Sequence, residues 1–310
     1  VQARRLATGI LGRGKIAWEN WRKRSTGLMP STLKMQHLAY EADGQELNGV
    51  VQKILYLPAD QATNTEILLQ EAWMGRLKEI IEKTVGKEAY QKWAAERVYI
   101  PEDGATFSRA QIMVAALNSG NLQNLTALNN HALFNGMGSD ALLSKLTAAE
   151  WNYVQSVWDF LDNEVFPELD KLTLRTKGVP LRKVEAAPFS VTTADGQTKD
   201  MRGGYFPLVF DREGGDAPIA EKRMRAEEIA AMPTLLSPGK VQASSTIERT
   251  GTSYKEMYPL LDMSVLINSL NGNITDLAYR EPVADTWRIL KRPDVKEAIT
   301  GALGDDAWTQ

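Results

Sequence analysis

The stretch Thr147-Ala148-Ala149-Glu150-Trp151, continued at helical spacing by Val154, Trp158, Leu161 and Val165, decides the fold class. Its first four residues make a capping box. The Thr147 hydroxyl can accept from the third backbone N–H of a helix while the Glu150 carboxylate reaches back to the N–H of Thr147. Behind the cap, the apolar residues recur at steps of three and four, the signature of a helix with one buried face. Upstream, Leu68, Leu69, Ala72, Trp73, Leu77, Ile80 and Ile81 repeat the pattern, with Gly86 as its end. Ser108 is placed to cap another helix running through Ile112, Ala115 and Ala116 to Gly120.

Further helices are expected over Leu33–Ala42 and Leu47–Leu57, parted by Asp43-Gly44 and stopped by Pro58, and over Ala89–Val98, stopped at Pro101-Glu102-Asp103-Gly104. The period changes after Gly178-Val179-Pro180. Phe189 to Thr193, a turn at Ala194-Asp195-Gly196, and Gln197 to Met201 alternate as a β-hairpin, with Tyr205 to Phe210 as a possible third strand. Helices resume at Ala217–Met232, Leu260–Ala278, Pro282–Leu290 and Pro293–Leu303, both prolines falling where a first helical turn tolerates them. The expectation is a mainly α protein, a multi-helix array with a small antiparallel β insert near residues 188–211. Its two regions would be a helical one over 1–145, led by a basic amphipathic helix, and a helical domain over 146–310 carrying the hairpin.

A chain of 310 residues with 43% hydrophobic and 24% charged residues can bury a sizeable core. No run of about 18 to 20 apolar residues occurs, and no secretory signal opens the chain. With no Cys, disulfides, thiolate catalysis and Cys-based metal sites are excluded, and His37 and His131 are the only imidazoles. Only Glu41 lies within four residues of either, too little for a metal motif, so no metal and no cofactor is expected. The net charge of −3 is polarised. Residues 1–26 carry seven basic residues against Glu19 alone, which is +6 and leaves −9 on the other 284. The start at Val1, without Met, and the plain ending at Gln310 suggest a segment of a longer polypeptide.

Within that basic segment, Leu6, Ile10, Ala17 and Trp21 share a helical face, flanked by Leu11 and Trp18. Arg4, Arg5, Arg13, Lys15, Arg22, Lys23 and Arg24, with Trp18 and Trp21, are the candidate contacts to nucleic acid or to an anionic membrane. Burial of the tryptophan face against a partner helix competes with both. Gly9, Gly12, Gly14 and Lys15 echo a phosphate-binding loop, but Ile16 stands where a magnesium-holding hydroxyl belongs and no buried strand leads in. Acidic residues at Asp211, Glu213 and Asp216, and at Asp262, Asp276 and Glu281, could pair for acid–base work, though ordinary loops hold such groups too. Arg202-Gly203-Gly204-Tyr205-Phe206-Pro207 reads best as a tight turn whose Tyr205 and Phe206 pack the core, without a nucleophile or base beside it.

The segments Gly203-Gly204-Tyr205-Phe206-Pro207-Leu208-Val209-Phe210-Asp211, Leu261-Asp262-Met263-Ser264-Val265-Leu266-Ile267 and Ile274-Thr275-Asp276-Leu277-Ala278-Tyr279-Arg280-Glu281 resemble those of very large bacteriophage polyvalent internal virion proteins. Such proteins are packaged in the capsid and pass through the tail with the genome. The likeness spans roughly residues 147–303. Thr275 stands where a His would be expected before the aspartate, and no catalytic residue is carried over. The resemblance implies a non-enzymatic structural segment that assembles through helix packing with other virion proteins or copies of itself and assists DNA ejection. It further implies a location in the virion interior, then in the host envelope or cytoplasm. The alternative from another class is a lytic, glycosidase-like enzyme cutting peptidoglycan during genome entry, with Glu71 or Glu150 as a single acid.

Overall fold

A computed structural model of the chain describes residues 36–37, 39–40, 43–102, 104–130, 139–209, 259–294 and 297. The protein is mainly helical with two small antiparallel two-stranded sheets, the expected class with a second hairpin added. The expected helices at 2–25, Ala217–Met232 and most of Leu33–Ala42 and Pro293–Leu303 lie outside the described residues.

Residues 43–49 turn, and the helix expected from Leu47 begins at Val50 because the Asp43 carboxylate accepts from the N–H groups of Val51 and Gln52, each at 2.8 Å. Pro58 does not stop it. A π-turn over Gln52–Tyr56 leads directly into helix α1 (Leu57–Thr84), with the Leu57 N–H donating to the Gln52 carbonyl. The widened turn relieves the clash between a proline ring and the carbonyl four residues back. Along α1, Trp73, Leu77 and Ile80 are buried, whereas Leu68 and Ala72 of the expected stripe are exposed. Gly86 closes α1 as expected, in the left-handed region at φ 80°, its N–H donating to the Ile81 carbonyl.

The helix expected over Ala89–Val98 is shorter, α2 (Lys87–Lys92), and the chain then forms strands β1 (Arg97–Ile100) and β2 (Ala105–Ser108). They pair antiparallel with Arg97 opposite Ser108 and Ile100 opposite Ala105. Burial of Ile100 and Phe107 on the inner face outweighs the helical propensity of the preceding residues. Ser108 makes a full capping box with Gln111 and opens α3 (Arg109–Asn118). Asn121 caps α4 (Leu122–Asn129), and the short α5 (Asp140–Leu143) follows.

Thr147 and Glu150 form the expected capping box of α6 (Ala148–Phe160), and Trp151, Val154, Trp158, Leu161 and Val165 are all buried. A second π-turn, Leu161–Val165, carries the helix past Pro167 into α7 (Phe166–Lys177), as the first carries α1 past Pro58. Strands β3 (Phe189–Thr192) and β4 (Thr198–Met201) form the expected hairpin. The third strand does not form: residues 202–209 lie outside any sheet, and the carbonyls of Gly204 and Phe206 are taken by the side-chain amides of Asn121 and Asn124 rather than by β4. At its far end the Val209 carbonyl accepts from the Leu260 N–H at 2.7 Å. The last helix, α8 (Ser264–Leu290), passes unbroken through Asn271-Gly272-Asn273 and through Pro282, which lies inside it rather than in a new first turn.

The chain divides into two compact units, one of residues 1–68, 234–238 and 278–310, the other of 69–233 and 239–277. The larger unit has one contiguous core drawn from both sides of position 145, with Ile112, Leu117, Leu142, Trp151, Trp158, Phe206 and Leu270 at 0% exposure. Each such side chain contributes about 1.5 to 3 kcal/mol by its removal from water. In the smaller unit Ala62 and Ala284 are buried, and the Tyr279 hydroxyl bridges Thr63 Oγ1 and Glu66 Oε2, each at 3.0 Å. Among the described residues no helix is long and apolar enough to cross a membrane.

Candidate functional site

The distinctive segment Gly203–Pro207 sits at the centre of the larger unit. Trp158, fully buried on α6, donates from Nε1 to the Leu117 carbonyl at 3.0 Å, and it lies against two glycines from distant parts of the chain, Gly120 and Gly204. A Cβ at Gly120 would stand 2.5 Å from the Trp158 ring, and one at Gly204 would stand 2.4 Å from the Trp158 Cβ. Gly203 has φ 74°, and its Cβ would meet the Gly120 carbonyl oxygen at 2.5 Å. Only glycine fits there on both counts. The same Gly120 carbonyl accepts from the N–H groups of Gly204 and Ala187, at 2.8 and 2.9 Å.

Buried amides complete the junction. Asn124 Nδ2 donates to the Phe206 carbonyl at 2.9 Å and to Asn118 Oδ1 at 3.2 Å, and Asn121 Oδ1 accepts from the Asn124 N–H at 2.9 Å. The carbonyls of Gly203, Gly204 and Phe206 are thus satisfied by side-chain amides of Gln155, Asn121 and Asn124 without a sheet partner, as burial requires. On the solvent side, Gln155 Oε1 accepts from the Arg202 N–H at 2.9 Å, and Asp159 takes the Arg202 guanidinium at 2.6 Å. Asp162 is two-thirds of a turn further on. Partial burial pushes its carboxyl up, opposed by the Lys183 ammonium at 3.4 Å and by the backbone N–H of Tyr205.

The opposite end of α6 is held by charge. Arg109 Nε and a terminal guanidinium nitrogen donate to the two Glu150 oxygens at 2.6 and 2.7 Å, and Arg109 also reaches the Lys145 carbonyl at 3.0 Å. Both side chains are largely buried, 12% and 8% exposed. Glu150 Oε2 accepts in addition from the N–H and hydroxyl of Thr147, at 2.8 and 2.9 Å. Both oxygens of this carboxylate are therefore bonded to structural partners. Between the two ends, Tyr153 packs with Trp93 at 5.2 Å and Tyr90 at 6.3 Å between ring centroids. Its hydroxyl has no hydrogen-bond partner among the described residues, and burial drives its phenol well above the ordinary tyrosine range.

Of the residues singled out in the sequence, Arg4, Arg5, Arg13, Lys15, Trp18, Trp21, Arg22, Lys23 and Arg24 lie outside the described residues, as do His131, Asp211, Glu213 and Asp216. Gly203, Gly204, Tyr205, Phe206 and Pro207 are brought together with Trp158 and Gly120, and Phe206 is fully buried. Asp262 caps α8 by accepting from the Ser264 N–H at 2.8 Å. His37 and Glu71 are exposed. Beside the glycine segment lies a shallow apolar cleft between Leu161, Val165, Leu169, Tyr205, Pro207 and Asn273. Among the described residues no group of three or more His, Asp or Glu could hold a metal ion.

Sequence reasoning did not find Gly120, Asn118, Asn121, Asn124 or Arg109. The run Asn118-Ser119-Gly120-Asn121, with Asn124 three residues on, carried a signal: amides recurring at steps of three beside a glycine suit a buried polar turn more than a solvated one. Arg109 left none, being 41 residues from Glu150. No protein-family model, curated protein or solved structure matches the chain.

Proposed function

We propose that the chain is a non-enzymatic structural segment of a large bacteriophage internal virion protein, assembling by helix packing with neighbouring virion proteins or with its own copies during genome delivery. The observation that carries this reading is the fate of its most distinctive motif. Gly203, Gly204 and Phe206 are consumed in packing helix α6 against the end of α3: Gly203 lies on the Gly120 carbonyl, and the backbone groups of Gly204 and Phe206 are bonded to Gly120, Asn121 and Asn124. The resemblance of residues 203–211, 261–267 and 274–281 to phage internal proteins supplies the context. The basic segment 1–26 is the proposed contact to DNA or an anionic membrane within that role.

The peptidoglycan-cleaving alternative has less to support it, since Glu150 is committed to Arg109 and Thr147 and Glu71 stands on an exposed helix face. The deciding experiment is mass spectrometry of purified particles of the phage that encodes this sequence, before and after triggered ejection. Peptides of this chain should be present in full particles and depleted from emptied ones. Their absence from full particles overturns the reading, and zymogram clearance of peptidoglycan that is lost in Glu71→Gln would install the enzyme in its place.

A further inference from the structure

Among the described residues the buried asparagines are Asn118, Asn121, Asn124 and Asn273. The first three are tied into the fold: Asn118 Nδ2 donates to the Val114 carbonyl at 2.9 Å, and Asn121 and Asn124 hold the glycine segment. Asn273 differs. It is 8% exposed, its amide has no hydrogen-bond partner among the described residues, and it lies inside α8, where asparagine is a weak helix former. Ser269, one turn earlier, is likewise without a bond among the described residues, although Thr173 and Thr176 of α7 close theirs onto carbonyls four residues back. Both Ser269 and Asn273 line the apolar cleft beside Tyr205 and Pro207. A buried amide that makes no structural bond lowers stability, and a cleft is the place where a bound group can supply the missing partner.

We propose that this cleft binds a neutral aliphatic amide, its alkyl group lying between Leu161, Val165, Leu169 and Pro207 and its amide pairing with Asn273, with Ser269 as a second contact. All of these residues belong to the larger unit. The cleft holds about 380 Å³ of empty space including its open mouth, at the small end of the range for ligand sites. Its one charged lining residue, Arg182, is exposed and already has a partner, so the polar part of the site is the uncharged pair on α8. A carboxamide presents a donor and an acceptor side by side, and another amide satisfies both at once. A hydroxyl meets them one at a time, and a carboxylate only accepts. A leucine-like residue within a peptide and a free alkyl amide offer this same chemistry. The inference is independent of the virion role.

The test is saturation-transfer NMR on the full chain, with N-acetyl-leucine N-methylamide as the peptide-like probe and isocaproamide as the free amide. At least one should bind, with about millimolar affinity for ligands of this size, and the tighter of the two identifies the source. N-acetyl-glycine N-methylamide, which lacks the alkyl group, should bind about tenfold more weakly than the leucine probe, or worse. Asn273→Leu should weaken the better probe by about tenfold and Ser269→Ala by about threefold, with an unchanged near-ultraviolet circular dichroism spectrum. The proposal is overturned if neither probe receives saturation from the wild-type chain, or if the glycine probe binds as well as the leucine one. It is also overturned if folded Asn273→Leu binds like wild type. The first two outcomes need only the wild-type chain, so they decide the matter even where a variant fails to fold.

Discussion

The two ends of helix α6 are fastened by opposite means. At the C-terminal half, Trp158 is gripped by the absence of side chains at Gly120 and Gly204, with Gly203 packed in turn on the Gly120 carbonyl. At the N-terminal end, Glu150 is gripped by an excess of donors from Arg109 and Thr147. Close packing of this kind cannot tolerate an added atom, and a buried ion pair cannot tolerate a lost partner. One helix thus carries both failure modes, one steric and one electrostatic. Together they tie α6 to the two termini of α3, with Leu117 at one end and Arg109 at the other.

Substitutions along α6 and its contacts rank the two fastenings. Trp158→Ala should cost most, about 3 to 5 kcal/mol of unfolding free energy, read by denaturant titration. Glu150→Gln should follow at about 3 kcal/mol, because the Arg109 guanidinium is left buried beside a neutral amide. If Glu150→Gln proves the costlier change, charge rather than packing dominates the anchoring of α6. Gly203→Ala should cost about 2 kcal/mol from its left-handed backbone and its approach to the Gly120 carbonyl. A cost near zero would mean that residues 203–204 do not lie against Gly120 as described.

Between the two fastenings, Tyr153→Phe removes a buried hydroxyl with no hydrogen-bond partner among the described residues, and should raise stability by about 1 kcal/mol. A loss of stability instead would reveal a bond to that hydroxyl. The smallest effect is expected at Asp162, whose folded carboxyl is raised by burial above its value of 3.8 in the unfolded chain. A raised carboxyl favours the folded state fully below its unfolded pKa, and that advantage is lost as pH rises through the folded pKa. Asp162→Asn should therefore flatten the decline in melting temperature as pH increases above the ordinary carboxylate range. An unaltered pH profile would remove Asp162 from the account.

What could be read from the sequence was what is decided within a few residues. The cap at Ser108, the capping box at Thr147 and the hairpin about Ala194-Asp195-Gly196 are local, and each is found where expected, Ser108 with Gln111 completing a second box. The hairpin of β1 and β2 is equally local, yet Pro101-Glu102-Asp103-Gly104 reads as readily as the stop of a helix as it does as the link between Val98-Tyr99-Ile100 and Thr106-Phe107. Prolines misled in the other direction. Pro58 follows a widened turn and does not end its helix, and Pro282 lies within a continuous helix and does not begin a new one. The junction about Trp158 was half legible: the glycine segment stood out and the amides around Gly120 hinted at a buried turn, but more than eighty positions separate the two and nothing in either paired them. Close approach between distant backbones leaves no periodic trace in either one.

The hydrogen bond from the Leu260 N–H to the Val209 carbonyl ties the end of the glycine segment to the residues that lead into α8. A disturbance at the lead-in to α8 is therefore passed to the peptide that runs out from the Trp158 seat, and the amides of both regions should exchange with solvent as one cooperative unit.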